Sequence, residues 1–257
     1  MPAGAANAST GGAGNASTGS IVSDVPSAGG SLPLDAGVPS SGESSPAPGC
    51  PAIARAAISD FTYRTGESAT SASFGRGAAF QGGTYIYPSS GSLSSSIVDD
   101  NWHVSGTVDT SSGFGLYVNG CQPLDASAFS GIAFSLWGHM DGDRQLVFFA
   151  ESAAQQVSSA WLNANLANST QPEAPNSGRC IPVRSRYDGT CNEPRVMLDV
   201  TSEPISVVIP WADFAGGSPV GAVDPREITS IAWSLPPSGE TPYGFDIHID
   251  DLRFVVP

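Results

Sequence analysis

The closing run GFDIHIDDLRFVVP sets Phe245, Ile247 and Ile249 in alternation with Asp246, His248 and Asp250, so one side is apolar and the other polar. That spacing predicts a half-buried β-strand. At Asp250 and Asp251 the alternation slips by one residue and hands the apolar phase to Leu252, Phe254 and Val256, as a β-bulge requires. A long terminal strand that kinks at two carboxylates belongs to an all-β domain.

The rest of the chain agrees. From Ala57 onward, short apolar and aromatic runs are separated by clusters of Gly, Pro, Ser and Asn, the punctuation of a sandwich or barrel. Strands are predicted over Thr84–Tyr87, Trp102–Val108, Gly115–Val118, Ile132–Trp137, Gln145–Phe149, Arg195–Val200, Ile205–Ile209, Ile228–Leu235 and Phe245–Val256. No helix is predicted. The number of strands suits an antiparallel β-sandwich of the jelly-roll kind. The polar stretch from Ser152 to Arg195 reads as a surface excursion.

Residues 1–49 hold Gly, Ala, Ser, Asn, Thr and Pro and open on the approximate repeat GAANASTG, GAGNASTG, so they are read as a low-complexity linker ahead of a domain spanning 50–257. Asn7, Asn15 and Asn168 each begin an N-x-Ser/Thr tripeptide, a frequent chance pattern in such sequence. The net charge is −14, and all ten basic residues are arginine. A chain this acidic is repelled by nucleic-acid backbones and anionic lipid, which leaves neutral or cationic partners. No apolar run approaches the roughly 18 residues that span a bilayer, and no signal segment opens the chain.

Cys50, Cys121, Cys180 and Cys191 lack the spacing of a zinc ribbon or redox motif, so disulfides and an oxidising, extracellular or cell-surface setting are expected. Four cysteines allow three pairings. Cys180 and Cys191 bracket a short polar loop and form the favoured pair, which leaves Cys50 with Cys121; four free thiols in a cytosolic protein is the alternative.

In the strand at Ile132, alternation sends Ile132, Phe134 and Leu136 to the core and Trp137 to the opposite face, where an indole could stack on a sugar ring or sit under a loop. Tyr85 and Tyr87 share one face and form a candidate pair of platforms. Trp102 and Trp233 are in phase with apolar neighbours and read as core, and Trp211 as a cap on the sandwich end. His139 follows Trp137 in phase, and Asp246, His248 and Asp250 share the polar side of the last strand; these are candidate ligand contacts, or transition-metal ligands if their strands adjoin. Common catalytic signatures are absent, and among the acids Glu151 is the foremost candidate for glycosidase chemistry.

The order of ISDF at Ile58, WHVSGTV at Trp102, SGFGLYVNGC at Ser112, LDASAFSGIAFSLWG at Leu124, VVIPWADF at Val207 and the closing FDIHIDDLRF resembles the galactose-binding-like jelly rolls of bacterial extracellular proteins. The resemblance is in particular to family 11 carbohydrate-binding modules and their relatives, over about residues 57–257. The resemblance implies a sandwich that binds polysaccharide across the outer face of one sheet, without catalysis, as part of a larger extracellular protein or assembly. It also implies a structural Ca2+, for which Asp60, Asp250 and Asp251 are the ligands present; Thr62 stands where relatives often carry an acid, and Ser135 where they commonly place tryptophan. Ligand contacts are then expected from Trp137, Tyr85, Tyr87, His139, Asp246 and His248. A structural or adhesive extracellular protein and a glycoside-active enzyme are the alternatives.

Overall fold

The computed structural model describes residues 56–61, 83–87, 93–117, 123–165, 178–185, 189–237, 239 and 241–257. All lie in the compact unit Glu43–Pro257. The linker expected over 1–49, and Cys50 with Cys121, fall outside the described residues.

In chain order the strands are β1 (Ala57–Ser59), β2 (Gly83–Tyr87), β3 (Leu93–Val98), β4 (Asn101–Val108), β5 (Ser112–Tyr117), β6 (Gly131–Met140) and β7 (Leu146–Ser152). After the helix α1 (Ser159–Asn165) come β8 (Arg195–Leu198), β9 (Ile205–Pro210), β10 (Ile228–Leu235) and β11 (Tyr243–Val255). The first sheet runs β3-β4-β11-β6-β9, with β1 also paired to β11, and the second runs β2-β5-β10-β7-β8. Every pairing is antiparallel. The two sheets form the antiparallel jelly-roll sandwich that the sequence predicts.

The core between the sheets is built from the apolar phase of each strand. Trp233 of β10 sits at its centre, with the rings of Trp102, Phe114, Phe134 and Phe148 at centroid distances of 5.9, 5.4, 5.3 and 5.2 Å. All five residues are fully buried. Such rings dominate core energetics through their buried area and edge or offset contacts. Trp102 donates its indole N–H to Ser95 Oγ at 2.9 Å, which satisfies the one polar atom that burial would otherwise strand. Trp211 lies in a single turn, Trp211–Asp213, and donates its indole N–H to the Phe129 carbonyl at 2.8 Å, closing one end of the sandwich.

Along β11 the phase changes where the sequence slips. Tyr243, Phe245, Ile247 and Ile249 are buried, then Leu252 and Phe254. The register against β6 shifts between Asp250 and Arg253, and Asp251 takes φ of 48°. Asp tolerates that left-handed conformation better than a branched residue would, so the bulge falls where its side chain is compatible with it.

Two readings are corrected. α1 lies inside the excursion after β7, where no helix was expected; its seven residues, SAWLNAN, are too few to show an apolar period. β1 and β3 are not among the predicted strands either: β1 has only three residues, and the serines of β3 carry weak strand propensity, yet Leu93 and Ile97 pack on the core while β4 supplies its ladder. The excursion is pinned as expected by a disulfide between Cys180 and Cys191, whose Cα atoms are 5.8 Å apart.

Candidate functional site

The residues singled out in the sequence divide between the two outer faces of the sandwich. Tyr85 and Tyr87 are on β2, in the second sheet, whereas Trp137, His139, Asp246 and His248 are on β6 and β11 of the first. They do not form one site.

On the second sheet, register sets Tyr85 opposite Gly115 and Tyr87 opposite Gly113 of β5. A Cβ at Gly115 would lie 2.6 Å from the phenol end of Tyr85, and one at Gly113 2.5 Å from Tyr87 Cζ, so both rings lean across β5 over positions where no side chain fits. Their centroids are 6.3 Å apart and their planes differ by 28°. Beyond the glycines, β10 presents Ser230, Ala232 and Ser234, and β7 presents Val147, Phe149 and Glu151 at the same register. Arg195 and Met197 of β8 complete the face. The strip therefore passes from aromatic rings, over small and hydroxyl side chains, to a carboxylate.

Its electrostatics are shifted together. Burial, then the nearby charge of Glu193, pushes the Glu151 carboxyl up to about 7. Glu193 is also raised by burial, with Arg195 opposing. The phenol of Tyr85 is raised well above its ordinary value, first by burial and next by the charge of Glu151, and that of Tyr87 is raised chiefly by burial. Two neutral phenols and a carboxyl that holds its proton near neutrality give a face rich in donors as well as acceptors.

On the first sheet, His103 of β4 is opposite His248 of β11, and His248 is opposite Trp137 of β6. The three rings stack in a row: His103 on His248 at 4.4 Å and 12°, His248 on Trp137 at 5.0 Å and 9°. Trp137 does leave the core, as alternation required, but one of its faces is occupied by His248. Asp246 spans both histidines, with Oδ2 at 3.1 Å from His103 Nε2 and Oδ1 at 3.1 Å from His248 Nε2. Asn101 Oδ1 is 2.7 Å from His248 Nδ1. Burial, then the neighbouring His103, lowers the His248 imidazole from its ordinary value. His139 stands apart: it faces solvent and approaches Asp141 at 4.0 Å.

His103 was passed over in the sequence. Its own strand shows that it faces outward with Ser105, but only the register of β4 on β11, set by residues far apart in the chain, shows that it meets His248.

At the bulge, Asp250 is raised by burial and by the charges of Asp251, Asp60 and Asp100, and it accepts the Asp251 N–H at 2.6 Å. Asp251 pairs with the Arg253 guanidinium. Among the described residues, the only set of three whose metal-binding atoms converge is His103, Asp246 and His248. The carboxylates of Asp60 and Asp251 lie near enough to Asp250 to act on its charge; they are the hard oxygens that calcium takes, and Asp251 is paired with Arg253.

Fold and site together define a jelly-roll β-sandwich with an aromatic and carboxylate strip on one outer face. The chain is similar in structure to the family 11 carbohydrate-binding module of the cellulosomal cellulase Lic26A-Cel5E of Clostridium thermocellum, with 14% identity, 80% of this chain and 97% of that one covered, and a TM-score of 0.46. A family 11 module from the same organism, in complex with a β-1,3-1,4-mixed-linked tetrasaccharide, gives 14% identity over 80% and 97% of the two chains at a TM-score of 0.44. A family 30 module of another cellulosomal cellulase of that organism gives 14% identity over 66% and 85% at 0.40. No family model matches the sequence, and comparison with curated proteins found no match.

Proposed function

We propose that this chain is a non-catalytic carbohydrate-binding module of an extracellular or cell-surface protein, and that it holds a neutral polysaccharide across the outer face of the second sheet. The observation that carries the reading is the lean of Tyr85 and Tyr87 over Gly115 and Gly113. Two near-parallel rings one strand repeat apart suit the C–H faces of sugar residues, and Ser234, Glu151 and Arg195 supply polar groups to the hydroxyls at the rim. The charge of −14 and the Glu151–Glu193 neighbourhood disfavour anionic glycans. The disulfide supports an oxidising compartment.

Affinity electrophoresis of the full chain in gels containing soluble β-glucans, xylans, galactans and an anionic control tests the reading. Retardation by at least one neutral glycan and not by the anionic one is expected; unchanged mobility in every gel refutes it.

One observation favours a second reading. A carboxyl raised to about 7 is what a glycosidase uses for its acid, and burial with the charge of Glu193 raises Glu151 to that range. Release of reducing ends from the bound glycan, abolished in Glu151→Gln, would establish the enzyme in place of the binding module.

A further inference from the structure

The row of rings on the first sheet leaves an unusual pairing at its centre. Asn101 Nδ2 lies 3.3 Å from the Asp99 carbonyl, to which it donates, and this fixes Asn101 Oδ1 as the atom facing His248. An amide oxygen only accepts, so His248 Nδ1 carries the hydrogen and donates it. In the neutral ring, Nε2 is then a bare lone pair, 3.1 Å from Asp246 Oδ1, another acceptor. Either a proton on Nε2, which makes the ring an imidazolium, or a bound cation satisfies the two acceptors. His103 Nε2 lies at the same 3.1 Å from the other oxygen of that carboxylate.

We propose that His103, Asp246 and His248 bind a borderline divalent transition-metal cation such as Zn2+, Ni2+ or Cu2+ on the outer face of the first sheet. Two imidazoles and a carboxylate are the ligand set these ions take in open sites, where water or an exogenous group fills the remaining position. The spacing suits it. Tetrahedral bonds of about 2.0–2.1 Å separate neighbouring ligand atoms by roughly 3.3 Å; each Nε2 lies 3.1 Å from a different oxygen of Asp246, so a small turn of the carboxylate brings one oxygen to both imidazoles. One ligand atom from each of the three residues lies within 4.8 Å of those of the other two.

The support around the site also suits it. Asn101 holds the His248 tautomer that exposes Nε2, the part that an outer hydrogen bond plays at histidine-ligated metals. The side chains are 22–38% exposed, which leaves an entry path and a free position. Stacked rings aim their lone pairs side by side, so coordination turns each imidazole about χ2, a broad and soft torsion. Turning His248 disturbs its stack on Trp137, which makes the indole a reporter.

This inference does not rest on the glycan reading, since the two sites occupy opposite outer faces of the sandwich. The test is calorimetric titration of the untagged, metal-free full chain with Zn2+ and Ni2+ in glycan-free buffer. One equivalent with micromolar or tighter affinity is expected, with a melting temperature about 5 °C higher at a hundredfold excess over Kd. His103→Gln, His248→Gln and Asp246→Asn should each weaken binding at least tenfold with their metal-free melting temperatures retained; His139→Gln should leave it unchanged. Cu2+ should quench part of the tryptophan emission, and that part should vanish in Trp137→Phe. Absence of a one-equivalent binding event, or undiminished affinity in the double variant His103→Gln/His248→Gln, overturns the proposal.

Discussion

The carboxylate of Glu227, 2% exposed, receives the Arg179 guanidinium at 2.6 Å and the Ala154 N–H at 3.1 Å, tying the segment before the disulfide to the turn that leads into β10. A charge this deep is tolerable because it is paired and hydrogen-bonded.

Removing the partner exposes the cost. Arg179→Ala should destabilise the fold by about 2–3 kcal/mol, toward the low end for a broken buried pair because the arginine itself is half in solvent. Urea unfolding of the variant measures it. A loss under about 0.5 kcal/mol, the range of ordinary surface substitutions, would show that water replaces the guanidinium without penalty.

The bridge between Cys180 and Cys191 closes a loop with a sequence separation of 11, for which chain entropy gives roughly 2–3 kcal/mol. The double variant Cys180→Ser/Cys191→Ser should lose about that much, and mass spectrometry of unreduced peptides should find the two half-cystines joined. Both cysteines recovered as free thiols would contradict the bridge.

Glu151 gives the fold a pH dependence of definite sign. Its carboxyl holds its proton up to about 7 in the folded chain, against 4.5 for the free side chain. The folded state therefore binds the proton more tightly, and this contribution to stability is present below about pH 4.5 and is lost as pH rises toward about 7. Glu151→Gln removes the penalty and should be more stable than the parent by about 1–2 kcal/mol near pH 8, a figure below the full conversion because the site keeps some solvent. Equal urea midpoints for the two proteins at about pH 5 and at about pH 8 would refute the shift.

Much of the fold was legible because strand alternation is a local signal. The predicted β10 matches its observed span, and the bulge at Asp250 and Asp251 is visible in the slip of the apolar phase alone. β3 was not legible, because its serines hide a strand that exists through pairing with β4. The candidate site was less legible for the same physical reason. Alternation shows that Tyr85, Tyr87, Trp137 and His248 leave the core, but the sheet to which each strand belongs is decided by pairing between distant segments. That pairing separates Trp137 from the tyrosines, lays the tyrosines over Gly113 and Gly115, and brings in His103 and Glu151.

The glycine beneath Tyr85 makes a specific demand. In Gly115→Ala the new methyl would stand 2.6 Å from the end of the Tyr85 ring and 2.7 Å from Ala232 Cβ, so the ring must lift. The variant should remain folded, lose about 1–2 kcal/mol to overpacking, and bind glycan several-fold more weakly. Parental glycan affinity in this variant would mean that the seat of Tyr85 is irrelevant to the ligand.

The most direct test of the central claim compares Tyr85→Ala/Tyr87→Ala with Trp137→Ala on whichever glycan retards the parent chain. Binding centred on the second sheet requires the tyrosine variant to lose affinity at least tenfold, as aromatic anchors do, at a temperature where it remains folded. It requires the tryptophan variant to bind as the parent does. Retained binding without the tyrosines, together with loss on removing Trp137, would contradict the account and move the glycan to the opposite face.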